Sequence, residues 1–395
     1  MNSRTALIVI CAVFAMLCIS FINKTPYREE GISYLQSGEI IPDVGAPDER
    51  QHANYVQRLA DGKGLPKLEI GDYEEYQAHQ PPFYYYIGAA WQKITGAQAD
   101  QPSGIRLRYL NVLVGFGLIL GLFYAGKWGL GREDIGLAAA AVGSLLPMSI
   151  ALHSAVTNDP LLYCGITWTI ALIGLCIREG WTVRNAFLVA IVIGLALVTK
   201  TSAIALLPTA LVALFFSSKL STNKPCIRTW VIVLVVPILI ALPWFLRNID
   251  LYGDPLAMSI FEEAFAGTMK PETVMANMGV GKAGYWLSAV GPITAKSFVG
   301  IFGYVEIHYF EQSGLAASNA FYWTVLIILA VASLFGVQEL RNEGSVSRSN
   351  IVFGVVCATL FLVVLAMFVR FNLQYFQAQS RYLYPAICPI ALVVG

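Results

Sequence analysis

Charged residues are scarce in this sequence. Asp, Glu, Lys and Arg make up 13% of its 395 residues, whereas 56% of the residues are hydrophobic, and the mean hydropathy is +0.62. A soluble domain carries about 25% charged residues, so this chain has too little polar surface to cover a water-soluble globule. The composition excludes an ordinary soluble domain and predicts an all-α polytopic membrane protein whose apolar surface lies in lipid.

The sequence also lacks the short motifs of several enzyme classes. It contains no P-loop, no HExxH zinc motif, no CxxC and no GxSxG, so the usual sequence signals of nucleotide binding, zinc proteolysis and serine hydrolysis are absent. The net charge is +1 and no basic stripe is present, which excludes a general attraction to nucleic acid. Of seven cysteines, six lie in apolar runs, and we predict no structural disulfide.

Apolar runs that could cross a bilayer follow one another along the chain. The first run follows Arg4 and has no small-residue cleavage site, which predicts an uncleaved signal anchor. Because a helical crossing takes about 20 residues, we expect about ten crossings, some of them short. The runs are residues 6–22, 107–126, 135–152, 161–177, 186–198, 203–216, 230–245, 321–337, 351–369 and 382–395.

Two long polar segments interrupt these runs, at residues 23–106 and 247–320. Within the first, residues 83–94 form an aromatic run too short to cross, which predicts a helix lying at the membrane interface. Basic residues in short loops mark the cytoplasmic side. With the N-terminus inside, both long segments become outer loops of one domain, residues 1–395, in a plasma (inner) membrane. The inside loops then carry Lys127, Arg132, Arg178, Arg184, Lys219, Lys224, Arg228, Arg341 and Arg348.

An acidic cluster lies in the first outer loop. Asp48, Glu49 and His52 follow Pro47, a residue favoured in the first turn of a helix. On that helix Asp48 and His52 share one face, and the helix should end near residue 61. The three side chains would then lie at the outer membrane boundary and could act on a substrate. A capped, solvated helix start is the alternative.

Polar residues also precede and begin the predicted interfacial helix. His79 could ligate a metal or bind an anion, or it could be an ordinary packed side chain. Tyr84 and Tyr85 could form a platform for a sugar, or they could belong to the aromatic belt that membrane interfaces favour.

A second acidic motif stands at the outer end of one span and the start of the next. Asn158 and Asp159 precede Pro160 there, and Pro is favoured in the first turn of a helix. Asp159 could cap that helix, or its carboxylate could face Asp48 across a cavity.

Four basic side chains lie at the predicted outer edge. Lys200 stands between two apolar runs with almost no loop around it, and it either binds a phosphate or extends to the interface. Arg247, Arg370 and Arg381 lie where the positive-inside rule disfavours them. Arginines placed against this rule predict an anionic partner, and a lipid phosphate is the natural candidate.

These clusters, in this order, resemble the integral-membrane glycosyltransferases of the GT-C fold that use polyprenyl-phosphate sugars, namely the protein O-mannosyltransferase and lipid A aminoarabinose transferase families. The resemblance spans most of the chain. It implies a GT-C-like fold, catalysis outside, inversion at the anomeric carbon and a lipid-linked donor. The matching motifs are Asp48-Glu49, Pro81-Pro82-Phe83-Tyr84-Tyr85, Asn158-Asp159-Pro160, Thr199-Lys200, Trp244-x-x-Arg247-Asn248, Tyr252-Gly253-Asp254-Pro255 and Arg381-Tyr382-Leu383-Tyr384-Pro385.

The resemblance also implies roles for single residues. Asp48 resembles the general base, Glu49 its partner and Asp159 the second acid. Where the aminoarabinose branch carries Glu-Lys, this chain has His79-Gln80, which removes one phosphate-binding lysine and changes a metal ligand, so no cofactor is assigned. The other candidates are Lys200, Arg247, Arg370 and Arg381 for the donor phosphate, His52, Tyr84, Tyr85 and Asn158 for the substrate, and His79 and His308 for a divalent metal.

The expected function is therefore an inverting glycosyltransferase that moves a sugar from a polyprenyl-phosphate donor to a hydroxyl of a lipid, glycan or protein acceptor on the outer face. The alternative is a transporter or flippase of an anionic lipid-linked sugar, which needs charged groups near mid-membrane; the span interiors here are nearly free of charge. A structural subunit that has lost activity is a third interpretation.

Overall fold

The computed structural model describes residues 2–25, 27, 33–34, 40–41, 48–72, 74–220, 224–303, 308, 314–342 and 347–395. The described residues are predominantly helical, which confirms the all-α class. A short antiparallel hairpin pairs β1 (Ser33–Tyr34) with β2 (Ile40–Ile41), and Ser33 lies opposite Ile41.

Helices cover the predicted apolar runs and also occur within the two long polar segments. They are α1 (Ser3–Lys24), α2 (Glu49–Ala60), α3 (Phe83–Thr95), α4 (Arg108–Tyr124), α5 (Glu133–Leu145), α6 (Pro147–His153), α7 (Asp159–Glu179), α8 (Val183–Leu197), α9 (Leu206–Leu220), α10 (Ile227–Tyr252), α11 (Met258–Ala264), α12 (Pro271–Met278), α13 (Lys282–Gly284), α14 (Gly291–Gly300), α15 (Leu315–Asn342), α16 (Arg348–Gln374) and α17 (Ile387–Val394). Short 3-10 helices cover Tyr76–His79, Pro102–Leu107, Thr201–Ala205, Ser380–Tyr382 and Tyr384–Ala386, and π-helical turns cover Ala125–Leu130 and Tyr285–Val290.

Seven of the described helices are long and apolar enough to cross a membrane, and α5 with α6 forms an eighth if the bent pair is one span. Shorter apolar helices occupy Val183–Leu197 and Tyr384–Val394. The chain is an integral multi-pass membrane protein; the count of about ten crossings stays a prediction.

The run at residues 135–152 was expected to be one span, and the structure breaks it. The two helices α5 and α6 meet at 67°. Leu146, between them, has an extended backbone with ψ 134°, because the ring of Pro147 disfavours a helical conformation in the residue before it. The break directs α6 toward the start of α7.

Close packing between α4, α5 and α7 forms the centre of the bundle. Small residues allow this approach, as is usual between membrane helices. A Cβ placed on Gly136 of α5 would lie 2.3 Å from the Phe123 carbonyl oxygen of α4. α7 is the most enclosed of the candidate spans, with 72% of its apolar window buried, and its first turn contributes to the site below.

The helices run between two ends of the bundle. At one, which we call the basic end, Ser3 at the start of α1 donates to Glu133 at 2.5 Å, and Arg178 at the end of α7 donates to the Trp128 carbonyl at 2.9 Å. The other, which we call the site end, contains the end of α1 and the first turns of α2, α4 and α7. The basic end thus contains short loops whose lysines and arginines were predicted to face the cytoplasm.

α2 and α3 pack against each other at the site end. Tyr55 of α2 stacks on Tyr85 of α3 with ring centroids 3.8 Å apart. α2 ends at Ala60, and Asp61 and Gly62 follow, the latter with φ +72°, which confirms the predicted end of this helix. Residues 83–94 are helical as predicted; their position at a membrane interface stays a prediction.

Candidate active site

The first turn of α2 holds the first acid. Asp48 precedes the helix as its N-cap and has a left-handed backbone, with φ 75° and ψ 9°, a conformation that Asp tolerates better than most residues. Its carbonyl accepts a hydrogen bond from the His52 N–H at 3.1 Å. The Asp48 carboxylate makes no capping bond and instead accepts from Arg381 Nη2 at 3.4 Å. The expectation that Asp48 lies within the helix was wrong by one position.

Glu49 is held by Arg108, which is not among the predicted site residues. The guanidinium donates to both carboxylate oxygens, at 2.8 and 2.7 Å, and the Val156 N–H donates to Glu49 at 2.8 Å. Arg108 also donates to the Thr25 carbonyl at 2.9 Å. The two side chains of the pair are 0% and 4% exposed.

This buried pair ties the first turn of α2 to α4 and to the segment before α7. The expected role of Glu49 as the partner of the general base stays a prediction. A sequence signal for Arg108 existed, because it begins an apolar run on the predicted outer side, against the positive-inside rule.

The second acid lies at the start of α7. Asp159 pairs with Lys200 at 2.5 Å, with side chains 6% and 20% exposed. Asn158, rather than Asp159, is the N-cap of α7, and its side chain makes no capping bond. The interpretation of Asp159 as a helix cap was therefore wrong. Lys200 does not extend into open water but binds a carboxylate at the site end.

Arg381 joins the two acids. Its Nη2 donates to Asp48 and, at 3.1 Å, to the Tyr382 hydroxyl, and its carbonyl accepts from the Tyr163 hydroxyl at 2.9 Å. Burial alone would lower the pKa of Arg381, but Tyr382 and the nearby carboxylates, Asp48 and Asp159, raise it, and the net shift is upward. Arg381 is therefore always charged. We call Asp48, Asp159, Lys200 and Arg381 the charged cluster.

His52 lies beneath this cluster and is buried. Its Nδ1 lies 2.8 Å from the Tyr85 hydroxyl, and its Nε2 lies 3.5 Å from the Thr157 hydroxyl. Burial, followed by the charges of Lys200 and Arg381, holds the pKa of His52 well below its usual value, so the ring is neutral at pH 7. Both ring nitrogens of His52 have protein partners in this structure, and its expected contact with the substrate stays a prediction.

Tyr84 and Tyr85 are 1% and 0% exposed. The Tyr84 hydroxyl accepts from Asn111 at 3.2 Å, and Tyr85 packs between Tyr55 and His52. Both rings are enclosed by protein side chains, and the expectation that they contact the substrate stays a prediction. Their burial follows from the packing of α3 on α2.

A neutral network connects the start of α3 to the charged cluster. His79 Nδ1 donates to the Tyr76 carbonyl at 2.7 Å, and its Nε2 accepts from the Gln80 amide at 2.8 Å. Asn158 donates to Gln80 at 3.3 Å and to the Thr199 carbonyl at 3.1 Å. Asn158 therefore lies beside the cluster, next to both Asp159 and the segment that carries Lys200.

The structure does not support a metal site built from His79 and His308. Both ring nitrogens of His79 are used by protein partners, and His308 packs near Tyr322 with ring centroids 6.2 Å apart. Within the part of the chain that the structure describes, no three His, Cys, Asp or Glu side chains converge as metal ligands.

The remaining two arginines lie apart from the charged cluster. Arg247 donates to the Pro66 carbonyl at 2.5 Å and covers the Trp244 ring, with 5.0 Å from Cζ to the ring centroid. It thereby connects α10 to the loop after α2. Arg370 is exposed near the end of α16. Neither has a described contact with the cluster, so a direct role in donor binding stays a prediction for both.

Sequence comparison matches part of the chain to one family. Residues 79–244, less than half of the chain, match the family model of dolichyl-phosphate-mannose-protein mannosyltransferases. The matched range contains Arg108, Asp159 and Lys200 but not Asp48 or Arg381. No curated protein matches the sequence.

Solved structures extend the comparison to the whole chain. The oligosaccharyltransferase AglB from Archaeoglobus fulgidus, in complex with an inhibitory peptide and a dolichol-phosphate, has a TM-score of 0.56 at 13% identity, over 98% of this chain and 50% of its own. The complex of that organism's oligosaccharyltransferase with Zn and sulfate gives 0.55 at 13% identity, over 98% and 48%. ArnT from Cupriavidus metallidurans in the apo state gives 0.51 at 14% identity, over 100% and 59%. This chain thus spans about half of the length of AglB.

The family match and the fold confirm the resemblance seen in the sequence. The chain has the fold of the GT-C membrane glycosyltransferases, and the four side chains of the charged cluster lie together at the site end of the helix bundle.

Proposed function

We propose that this protein is an inverting glycosyltransferase that moves a sugar from a polyprenyl-phosphate donor to an acceptor hydroxyl on the outer face of the membrane. The observation that carries the proposal is the charged cluster, in which two carboxylates and two cations meet at the site end of a GT-C fold. The AglB complex with dolichol-phosphate and peptide supports a lipid-linked donor in this fold.

In the proposed reaction the cations bind the donor. The lipid chain lies in the bilayer, and the phosphate binds the positively charged side chains of Lys200 and Arg381. When the bond between the anomeric carbon and the phosphate oxygen breaks, negative charge builds up on the phosphate. Preorganised cations stabilise that charge more in the transition state than in the ground state. Polyprenyl phosphate is the leaving group.

In the proposed reaction Asp48 is the base. It takes the proton from the acceptor hydroxyl, and the acceptor oxygen attacks the anomeric carbon from the face opposite the phosphate, which inverts the configuration. In the structure described here Asp48 is paired with Arg381. Donor phosphate that draws Arg381 toward itself would release the Asp48 carboxylate at the moment when a base is needed.

The other acid and the neutral residues then orient the reactants. Asp159 exchanges part of its bond to Lys200 for a hydroxyl of the sugar or acceptor, and Asn158 lies within reach of the same space. Glu49 and Arg108 hold the first turn of α2, so the Asp48 backbone keeps its left-handed conformation. The basic end lies opposite, and by the positive-inside rule this supports the proposed outer position of the site end.

The experiment compares sugar transfer from radiolabelled polyprenyl-phosphate sugars by wild type and Asp48→Asn at equal expression. Loss of a general base lowers the rate by roughly 10²–10⁴-fold, whereas donor binding should persist. Asp61→Asn is the matched control, because it makes the same substitution just beyond the other end of α2, on an exposed side chain.

Four outcomes are informative. Loss of transfer in Asp48→Asn, with Asp61→Asn active, supports the proposal. Equal activity of wild type and Asp48→Asn would remove Asp48 from the chemistry. Movement of intact donor across vesicles without sugar release would indicate a flippase, and neither transfer nor movement would indicate a structural subunit.

A further inference from the structure

The two acids of the charged cluster already have cations. Asp159 binds Lys200 at 2.5 Å and Asp48 binds Arg381 at 3.4 Å. Neighbouring carboxylates without counter-charge are a common place for a divalent ion. In this chain Lys200 and Arg381 supply that counter-charge.

A divalent ion would also lack further ligands here. Zinc takes four protein or water ligands, and Mg²⁺ and Ca²⁺ take about six or more oxygens. Glu49 is the nearest other carboxylate in sequence, and Arg108 and the Val156 N–H occupy it. His52 and His79 use both ring nitrogens within the protein.

The charge balance favours the same conclusion. The two carboxylates contribute two negative charges, and Lys200 and Arg381 contribute two positive charges, so the charged cluster is neutral. A divalent ion entering it would meet two fixed cations at short range in a poorly hydrated site, where such repulsion is weakly screened. The ion would have to displace both.

We infer that this protein works without a divalent metal, and that Lys200 and Arg381 together supply the positive charge that a metal ion would otherwise bring to the acids and to the leaving phosphate. The inference rests on the proposed function for its catalytic part only; the binding part concerns the cluster itself. It assigns to each cation a double role, neutralising an acid at rest and the phosphate during transfer.

Metal binding is measured first, without any donor. Protein treated with EDTA, desalted and reconstituted in nanodiscs is titrated with Mn²⁺ and followed by electron paramagnetic resonance. We expect no saturable site in wild type, and the same result for Asp61→Asn. One equivalent of Mn²⁺ bound by wild type and lost in Asp159→Asn would overturn the inference.

A second experiment tests whether removing the two cations creates a Mn²⁺ site. The double variant Lys200→Met with Arg381→Met leaves both carboxylates without these cations, and we expect it to acquire a Mn²⁺ site that Asp159→Asn removes. If that protein does not fold, Lys200→Gln alone serves, with a weaker site expected. Failure of every folded variant to gain Mn²⁺ affinity would show that the two cations are not what excludes the metal.

Activity provides the third arm. Sugar transfer should be unchanged after EDTA and 1,10-phenanthroline, and added Mn²⁺ or Mg²⁺ should not increase it. A loss restored by metal would overturn the inference. Absence of transfer with any donor under all conditions would instead refute the proposed function, while the Mn²⁺ titration would still decide whether the cluster binds metal.

Discussion

Replacing Arg108 by Met removes one half of the buried pair that holds the first turn of α2. The side chain of Arg108 is 0% exposed and that of Glu49 is 4% exposed, so the remaining carboxylate would be left charged and without its main partner. Its hydrogen bond from the Val156 N–H, at 2.8 Å, is too little to compensate. The substitution also leaves the Thr25 carbonyl without the donor it now has.

The size of the effect follows from this geometry. Removing one partner of a buried ion pair costs about 3–5 kcal/mol, whereas replacing both partners costs much less. Arg108→Met should therefore destabilise the protein by about 3–5 kcal/mol, and Glu49→Gln with Arg108→Met should be more stable than Arg108→Met alone. The Gln amide oxygen can still accept from Val156. Arg106→Met, two residues earlier on an exposed side chain, should change stability by less than about 1 kcal/mol.

The assay is unfolding of the purified protein in nanodiscs, followed by circular dichroism, with sugar transfer measured on the same samples. If Glu49 and Arg108 position Asp48, the double variant should recover stability but keep a low kcat, with donor affinity unchanged. Equal stability of Arg108→Met and Arg106→Met would refute the claim that the pair holds the site. Full activity of a stable double variant would refute the positioning role.

Two further predictions concern the charges. Lys200→Met should weaken donor binding roughly 10–100-fold, because a charge-assisted hydrogen bond contributes about 1.5–3 kcal/mol. Lys224→Met, on an exposed loop, should leave donor binding unchanged. Equal Kd values for labelled donor in the two variants would contradict this prediction. Below pH 6.5 the unfolded chain gains a proton at His52 that the folded state does not bind, since burial lowers the pKa of the folded His52. The contribution of His52 to stability is therefore retained above pH 6.5 and should fall by about 1.4 kcal/mol for each pH unit below it, and His79 adds a slope of its own. His52→Gln should reduce this slope and leave the part due to His79, whose pKa burial lowers to about 3; an unchanged slope in unfolding titrations would exclude His52 as its source.

The helices and the locations of the site were predictable because both depend on local patterns. Apolar runs of about 20 residues specify crossings. A charge between two apolar runs indicated Lys200, and a charge placed against the positive-inside rule indicated Arg381. The break at Leu146 could also have been predicted, since Pro147 follows it. That run was nevertheless expected to be continuous because its composition is uniformly apolar.

The pairings within the site were not predictable, because they join residues far apart in the chain. Glu49 and Arg108 belong to different helices, and nothing local to Glu49 shows that its carboxylate is already occupied. Tyr85 illustrates the same limit. A tyrosine at a membrane boundary has the same sequence pattern whether it faces a sugar or packs on a neighbouring helix, and only the position of α2 against α3 decides between them.

The pairing of each acid with a cation determines both the stability of the charged cluster and the availability of its side chains. Buried carboxylates would be costly without counter-charge, and so would buried cations. Paired, they are stable at rest, but neither the base nor the phosphate site is then fully available. In the proposed reaction an anionic donor relieves both constraints, because its phosphate would replace the carboxylates as the partner of Lys200 and Arg381. A neutral acceptor would not do this. Under the proposed function the arrangement therefore couples release of Asp48 to the arrival of donor, so that donor binding would precede acceptor activation for a physical reason.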